Sequence, residues 1–213
     1  MSIVQELSSS QGKRTPEANE KVAEKCLKSA ESLAEIVETL SHKKAQLVAD
    51  CAEVLTKVAE KRPELVAPHA ATLFDLIDHK NGRVRWESAH AFALVADRVP
   101  RIVAEAIPRL AQIIRQGDGV IVRDYAADAV VGYATTGEKA FKQALPVLKE
   151  ALVAWEGKHA ARILVGLSRI VAAMPRLASE AASLARGFEE HERAGVRKAA
   201  KALLKLAEKG GKK

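Results

Sequence analysis

Apolar side chains recur at alternating spacings of three and four along most of the chain. In 106–115, Ile107, Leu110, Ile113 and Ile114 fall at i, i+3, i+6 and i+7, which is one stripe on an α-helix. In 122–134, Val122, Ala126, Ala129, Val130 and Tyr133 do the same. Between such stripes lie short polar breaks carrying Gly, Asp or Asn. The pattern predicts helix–turn–helix segments. PHAATLFDLIDHKNGRVRWESAHAFALVAD (68–97) is one and AIPRLAQIIRQGDGVIVRDYAADAVVGYAT (106–135) is another. ALPVLKEALVAWEGKHAARILVGLSRIVA (144–172) and LASEAASLARGFEEHERAGVRKAAKALLKLAE (177–208) follow. A divergent first copy pairs 16–40 with 43–60.

The second half of each segment is nearly one phrase. VRWESAHAFALVA (84–96), VRDYAADAVVGYA (122–134) and GVRKAAKALLKLA (195–207) share it, with a period of about 37 residues. One slot reads Ser88, Ala126, Ala160 and Ala199 in successive copies, so a small residue is required there for close helix packing. Gly82, Gly119, Gly157 and Gly195 punctuate the turns and are expected to act as helix C-caps. Pro63, Pro100 and Pro175 open the connections between copies, and Pro16 suits a first helical turn. A lone helical pair cannot bury its apolar face, so the copies must stack on one another.

The expected fold is therefore all-α, a right-handed α-α superhelix (solenoid) of about five helical pairs. Residues 15–209 are expected to form one repeat domain, with copies at 16–61, 63–97, 100–135, 138–173 and 175–209. Residues 1–14 and 210–213, polar and poor in apolar pattern, are expected to be flexible.

Over about 43–209 the chain resembles the HEAT-repeat (armadillo-like α-solenoid) family. The resemblance rests on the phrase V-R-x-x-A-x-x-A after an acidic turn: Asp78 before Val84-Arg85, Asp118 before Val122-Arg123. It implies that Asp78, Arg85, Asp118 and Arg123 contribute to a hydrogen-bonded inter-repeat ladder. The fourth copy departs, with Lys158-His159 where Val-Arg is expected.

The resemblance also implies that second helices line a concave surface. Aligned on Ala52, Ala89, Ala127, Ala161 and Ala200, the next positions read Glu53, His90, Asp128, Arg162 and Lys201. Three positions before the alignment point stand Ala49, Trp86, Asp124, Lys158 and Arg197. Residues four apart share a helix face, so 86/90, 124/128, 158/162 and 197/201 are same-face pairs. The candidate concave-surface binding residues are Trp86, His90, Asp124, Asp128, Lys158, Arg162, Arg197 and Lys201. Trp is the residue type most enriched at binding hot spots.

Composition narrows the function classes. Aromatics are 4% of a chain that is 48% hydrophobic, so the core is built from Ala, Leu, Val and Ile. The net charge of +7 is uneven: residues 120–213 carry seventeen Lys/Arg against ten Asp/Glu. Cys26 and Cys51 fall at apolar helical positions and are expected to be reduced, buried thiols. The six histidines have no HxxxH spacing and are taken as surface residues, so no metal and no cofactor are expected. No apolar run approaches the ~20 residues that cross a bilayer, and there is no secretory signal pattern. A cytoplasmic location is expected. No Walker, Rossmann or G-x-S-x-G motif is present.

These features point to a non-enzymatic binding or scaffold module for a protein partner. The alternative is a nucleic-acid-binding HEAT protein, related to the HEAT-like alkylpurine DNA glycosylases. Those use a concave Trp, an Asp one turn later and an Arg one layer on. Here Asp128 and Arg162 match, but Asp124 stands where the Trp belongs.

Overall fold

A computed structural model of the protein describes residues 2–12, 16–117 and 119–210. Among these there are helices and turns and no strands. The contacts divide the chain into two compact units, Met1–Val99 and Pro100–Lys213.

In the first unit the opening helix of each repeat is broken. The first repeat has α1 (Glu17–Cys26) and α2 (Ala30–Thr39) before the long α3 (Ala45–Lys61). The break follows from the Ser29 side chain, which accepts a hydrogen bond from the Ser32 N–H and so starts a new helix. The second repeat has α4 (Pro63–Val66), α5 (Ala70–Asp75) and α6 (Gly82–Val95). Pro68 cannot donate to the preceding turn, and a 3-10 turn replaces the α-helix at Ala67–His69. Asn81 caps α6, accepting from the Arg83 and Val84 N–H groups. α3 and α6 pack side by side and form the body of the unit.

Residues 2–12, expected to be flexible, are instead held down. Ile3 and Leu7 are buried, the latter completely, and Ile3–Glu6 makes a 3-10 turn. The Ser8 and Ser9 N–H groups donate to Asn19 and Asp50. Two apolar residues, with polar anchors 11 and 41 residues away in sequence, leave no local periodicity to detect.

The second unit is more regular. It comprises α7 (Pro100–Gln116), α8 (Val120–Ala134), α9 (Glu138–Gly157), α10 (Ala160–Ala173), α11 (Ala178–Ala185) and α12 (Ala194–Gly210). α7 buries the stripe Ile107, Leu110, Ile113 and Ile114 read from the sequence. α8 is packed by α7, α9 and α10, and α12 packs on α10 and α11. The small slot is buried in every copy: Ser88, Ala126, Ala160 and Ala199. Gly166 of α10 shows how close the helices come. A Cβ there would stand 2.5 Å from a methyl of Val131 on α8.

Of the four turn glycines, only Gly157 has a positive φ, of 67°. Gly82 and Gly119 open the following helix and Gly195 lies within its first turn, so they are not C-caps. The last turn of α9 is irregular: Trp155 and Glu156 also take left-handed angles, at φ 54° and 56°. That strain is held by Trp155. Its indole N–H donates to the Ile114 carbonyl at the end of α7, 2.8 Å away, and Arg123 stacks 3.8 Å above the ring. Trp155 therefore caps α7 rather than its own helix. The thiols of Cys26 and Cys51 are free and buried, and burial pushes that of Cys26 up to about 11.

Candidate functional site

The first unit contains a cavity of about 600 Å³ between the N-terminal segment and the helices α3 and α6. That volume falls within the range of small-molecule sites. Its polar wall is built by neighbours on two helices. α3 supplies Asp50 and Glu53; α6 supplies Arg83, Trp86 and Glu87. Asp50 is fully buried and densely satisfied. It accepts from the Ser9 N–H at 2.7 Å and the Asn19 amide at 3.1 Å, and pairs with Arg83 at 2.7 Å. Burial works against its charge, but these hydrogen bonds and Arg83 outweigh burial and hold its carboxyl below the usual Asp range. Glu53 accepts from Asn19 at 2.8 Å and from Arg83 at 2.5 Å.

Glu87 differs. It is 3% exposed. Burial, reinforced by Glu53, pushes its carboxyl up to about 8; Arg83, Lys57 and the Thr56 hydroxyl offset only part of that. Trp86, the aromatic expected on the concave face, is half-buried and forms part of this wall. His90, one turn further along α6, is half-buried too.

In the second unit the expected row assembles in part. Arg162 pairs with Asp128 and lies 3.5 Å from Asp124. His159 joins them, its Nδ1 2.6 Å from Asp124. This corrects the surface assignment of that histidine, which is 2% exposed. It is the N-cap residue of α10, and the core closes over it. Burial pushes the Asp128 carboxyl above its ordinary range; Arg162 counters part of the rise and Asp124 adds to it. Lys158 is exposed, and so is Lys201, 3.6 Å from Glu190.

Arg197 is half-buried, its guanidinium donating to the carbonyls of His191 and Glu192 at 2.7 and 2.8 Å. Arg85 and Arg123 make the same kind of bond, to His79 and Lys80 and to Gly117. In the three copies that carry it, the Val-Arg phrase thus ties the start of the second helix to its own turn. The pairing of Asp78 with Arg85 across repeats stays a proposal, and Asp118 lies outside the described residues.

Two exposed apolar residues extend this row. Ile121 shares a helical stripe with Asp124 and Asp128, at i, i+3 and i+7, and is 49% exposed. Val165 lies one turn beyond Arg162 on α10, at i and i+3, and is 55% exposed. Among the described residues, no group of three or more His, Cys, Asp or Glu side chains is placed to hold a metal ion. Among the same residues no helix is long and apolar enough to cross a membrane.

A designed armadillo repeat protein in complex with the peptide (KR)4 superimposes with a TM-score of 0.68, at 18% identity, over 96% of this chain and 98% of that one. An archaeal HEAT-like repeats protein from Thermococcus onnurineus NA1 does so with a TM-score of 0.55, at 11% identity, over 91% and 93%. The chain has a HEAT/armadillo-like repeat fold. An engineered protein, target OR329, matches at a TM-score of 0.67 and 19% identity over 98% and 96%. No family model and no curated protein matches the sequence.

The polar wall of the cavity was not legible as a site from the sequence. Asp50 stands in the apolar stretch VADCA, and that misplaced acid is the signal that marks it; Glu87, in WESAH, has no such mark. His159 carried a similar mark as the odd residue in the Val-Arg slot.

Proposed function

We propose that the chain is a non-enzymatic binding module that holds a protein segment on the outward face of its second helices. The observation that carries this reading is the mixed row of the second unit. Ile121 and Val165 stand well exposed, each one turn from an ionic side chain. Exposed apolar side chains inside a charged frame suit a protein partner, whose apolar groups can bury them. They contribute little to a contact with phosphates, which rests on free Lys and Arg. The basic residues also speak for protein: Arg162 is engaged by two carboxylates and Arg197 by two carbonyls. Lys158 and Lys201 complete the proposed surface, all of it on the second unit. A peptide-bound armadillo neighbour supports the same class of partner. The location in the cytoplasm belongs to this reading as well.

The nucleic-acid alternative, including glycosylase chemistry, would need Asp128 turned toward a flipped base; in this structure it faces Arg162. A random peptide library panned against the chain tests the proposal. Enriched peptides should carry apolar residues beside acidic ones and should lose at least about tenfold in affinity against Val165→Glu or Ile121→Glu, a loss near 1.4 kcal/mol. An empty panning result, together with duplex DNA binding that falls steeply with salt and ignores both substitutions, would overturn it.

A further inference from the structure

The cavity of the first unit is separate from the proposed protein-binding row, and nothing in that proposal uses its buried acids. Among the described residues its walls carry three carboxyl groups, on Asp50, Glu53 and Glu87, against the guanidinium of Arg83. Arg83 is already committed to Asp50 and Glu53, at 2.7 and 2.5 Å. Asp50 is further saturated by Ser9 and Asn19. Glu87 is left with the least compensation, although it is 97% buried by its 3% exposure and lines the space. Beside it stands Trp86, whose ring offers an apolar and electron-rich face. A space of about 600 Å³ is many times the size of one water molecule. An aromatic wall next to an under-compensated carboxyl is the chemistry that recognises a cation on a hydrocarbon stem.

We propose that this cavity binds an organic cation, an alkylammonium or guanidinium group on a short apolar stem, with Trp86 against the stem and Glu87 facing the charge. The cation can come from a free amine or from a Lys or Arg side chain of another chain. Both present the same group to the pocket. The charged neighbours of Glu87 are Glu53 and Lys57 on α3 and Arg83 on its own helix. With its carboxyl near 8, Glu87 is mostly protonated at neutral pH, so cation binding releases a proton from it. Affinity accordingly rises with pH, by about tenfold between pH 6.5 and 8.

Titration calorimetry on the full chain tests this with agmatine, spermidine and a capped Gly-Lys-Gly peptide as probes. At least one should bind saturably at pH 8 and release a proton that scales with buffer ionisation. The tightest of the three identifies the source of the cation. Glu87→Gln should lose both the affinity and its pH dependence while remaining folded, because it removes a buried acid and keeps the shape. Trp86→Leu should weaken binding about fivefold and leave the pH slope unchanged. Absence of saturable binding by all three probes at pH 8 overturns the proposal. So does binding that Glu87→Gln leaves intact, or preferential binding of acetate. None of these results bears on the peptide row of the second unit.

Discussion

The two units are built from the same repeat and invert each other's use of polarity. Among the described residues, the buried polar side chains of the first unit are Ser8, Asn19, Asp50, Thr56, Glu87 and Ser88; those of the second are Arg123 and His159. The exposed large apolar side chains, Val120, Ile121, Val153, Trp155 and Val165, all belong to the second. Charge follows the same division. The first unit holds fourteen Lys/Arg and fifteen Asp/Glu, the second twenty and twelve, so their nets are −1 and +8. A helical repeat thus needs only its small-residue slots and apolar stripes to stack. The remaining positions are free to carry either a polar interior or an apolar surface.

The largest test of this contrast is Asp50→Ala. It removes the acceptor shared by Ser9, Asn19 and Arg83, and breaking a buried pair of this kind costs about 3–5 kcal/mol. Chemical denaturation should show the loss. Asp50 is held below its ordinary range, so its contribution is present above the unfolded value of 3.8 and is lost as pH falls through the lower folded value. The variant should therefore flatten the acid limb of the stability curve. If Asp50→Ala unfolds no more easily than the wild type, the polar interior is not what holds the first unit.

Glu87→Gln comes next and has the opposite sign. Its carboxyl rises from 4.5 to about 8 on folding, so the folded state binds the extra proton between those values. Wild-type stability falls as pH rises through that window, and the penalty is full above pH 8. The variant should match the wild type near pH 4.5 and exceed it by about 2–4 kcal/mol at pH 9. A constant difference between the two across this range would contradict the buried, only partly compensated carboxyl.

The smallest effect belongs to the second unit. Arg162→Ala removes pairs with Asp124 and Asp128 on a side chain that is 39% exposed. Such pairs contribute about 0–1 kcal/mol. A loss above about 2 kcal/mol would show that this cluster is a structural core like that of the first unit and would erase the contrast.

The repeat was legible because it obeys local rules. Ile107, Leu110, Ile113 and Ile114 are adjacent on any α-helix, whatever surrounds it, and all four are buried. Helix breaks were harder. Residues 16–40 read as one helix, and only the Ser29 cap divides them. The N-terminal segment was misread for a similar reason, since Leu7 and Ser9 gain their partners only when α1 and α3 have folded. Rows of same-face residues could be counted, but their occupancy could not. Arg197 and Arg162 both stand on the counted rows, yet one ties down a turn and the other bridges two carboxylates.

By itself the sequence determined the helices, their pairing into repeats and the small residues at which they pack, because those depend on neighbours three, four or about 37 positions away. The tertiary structure alone decided that Asp50 is satisfied, Glu87 is left short of partners and His159 is swallowed by the core. A buried charge is set by whatever distant groups happen to surround it, and no periodicity along the chain records that.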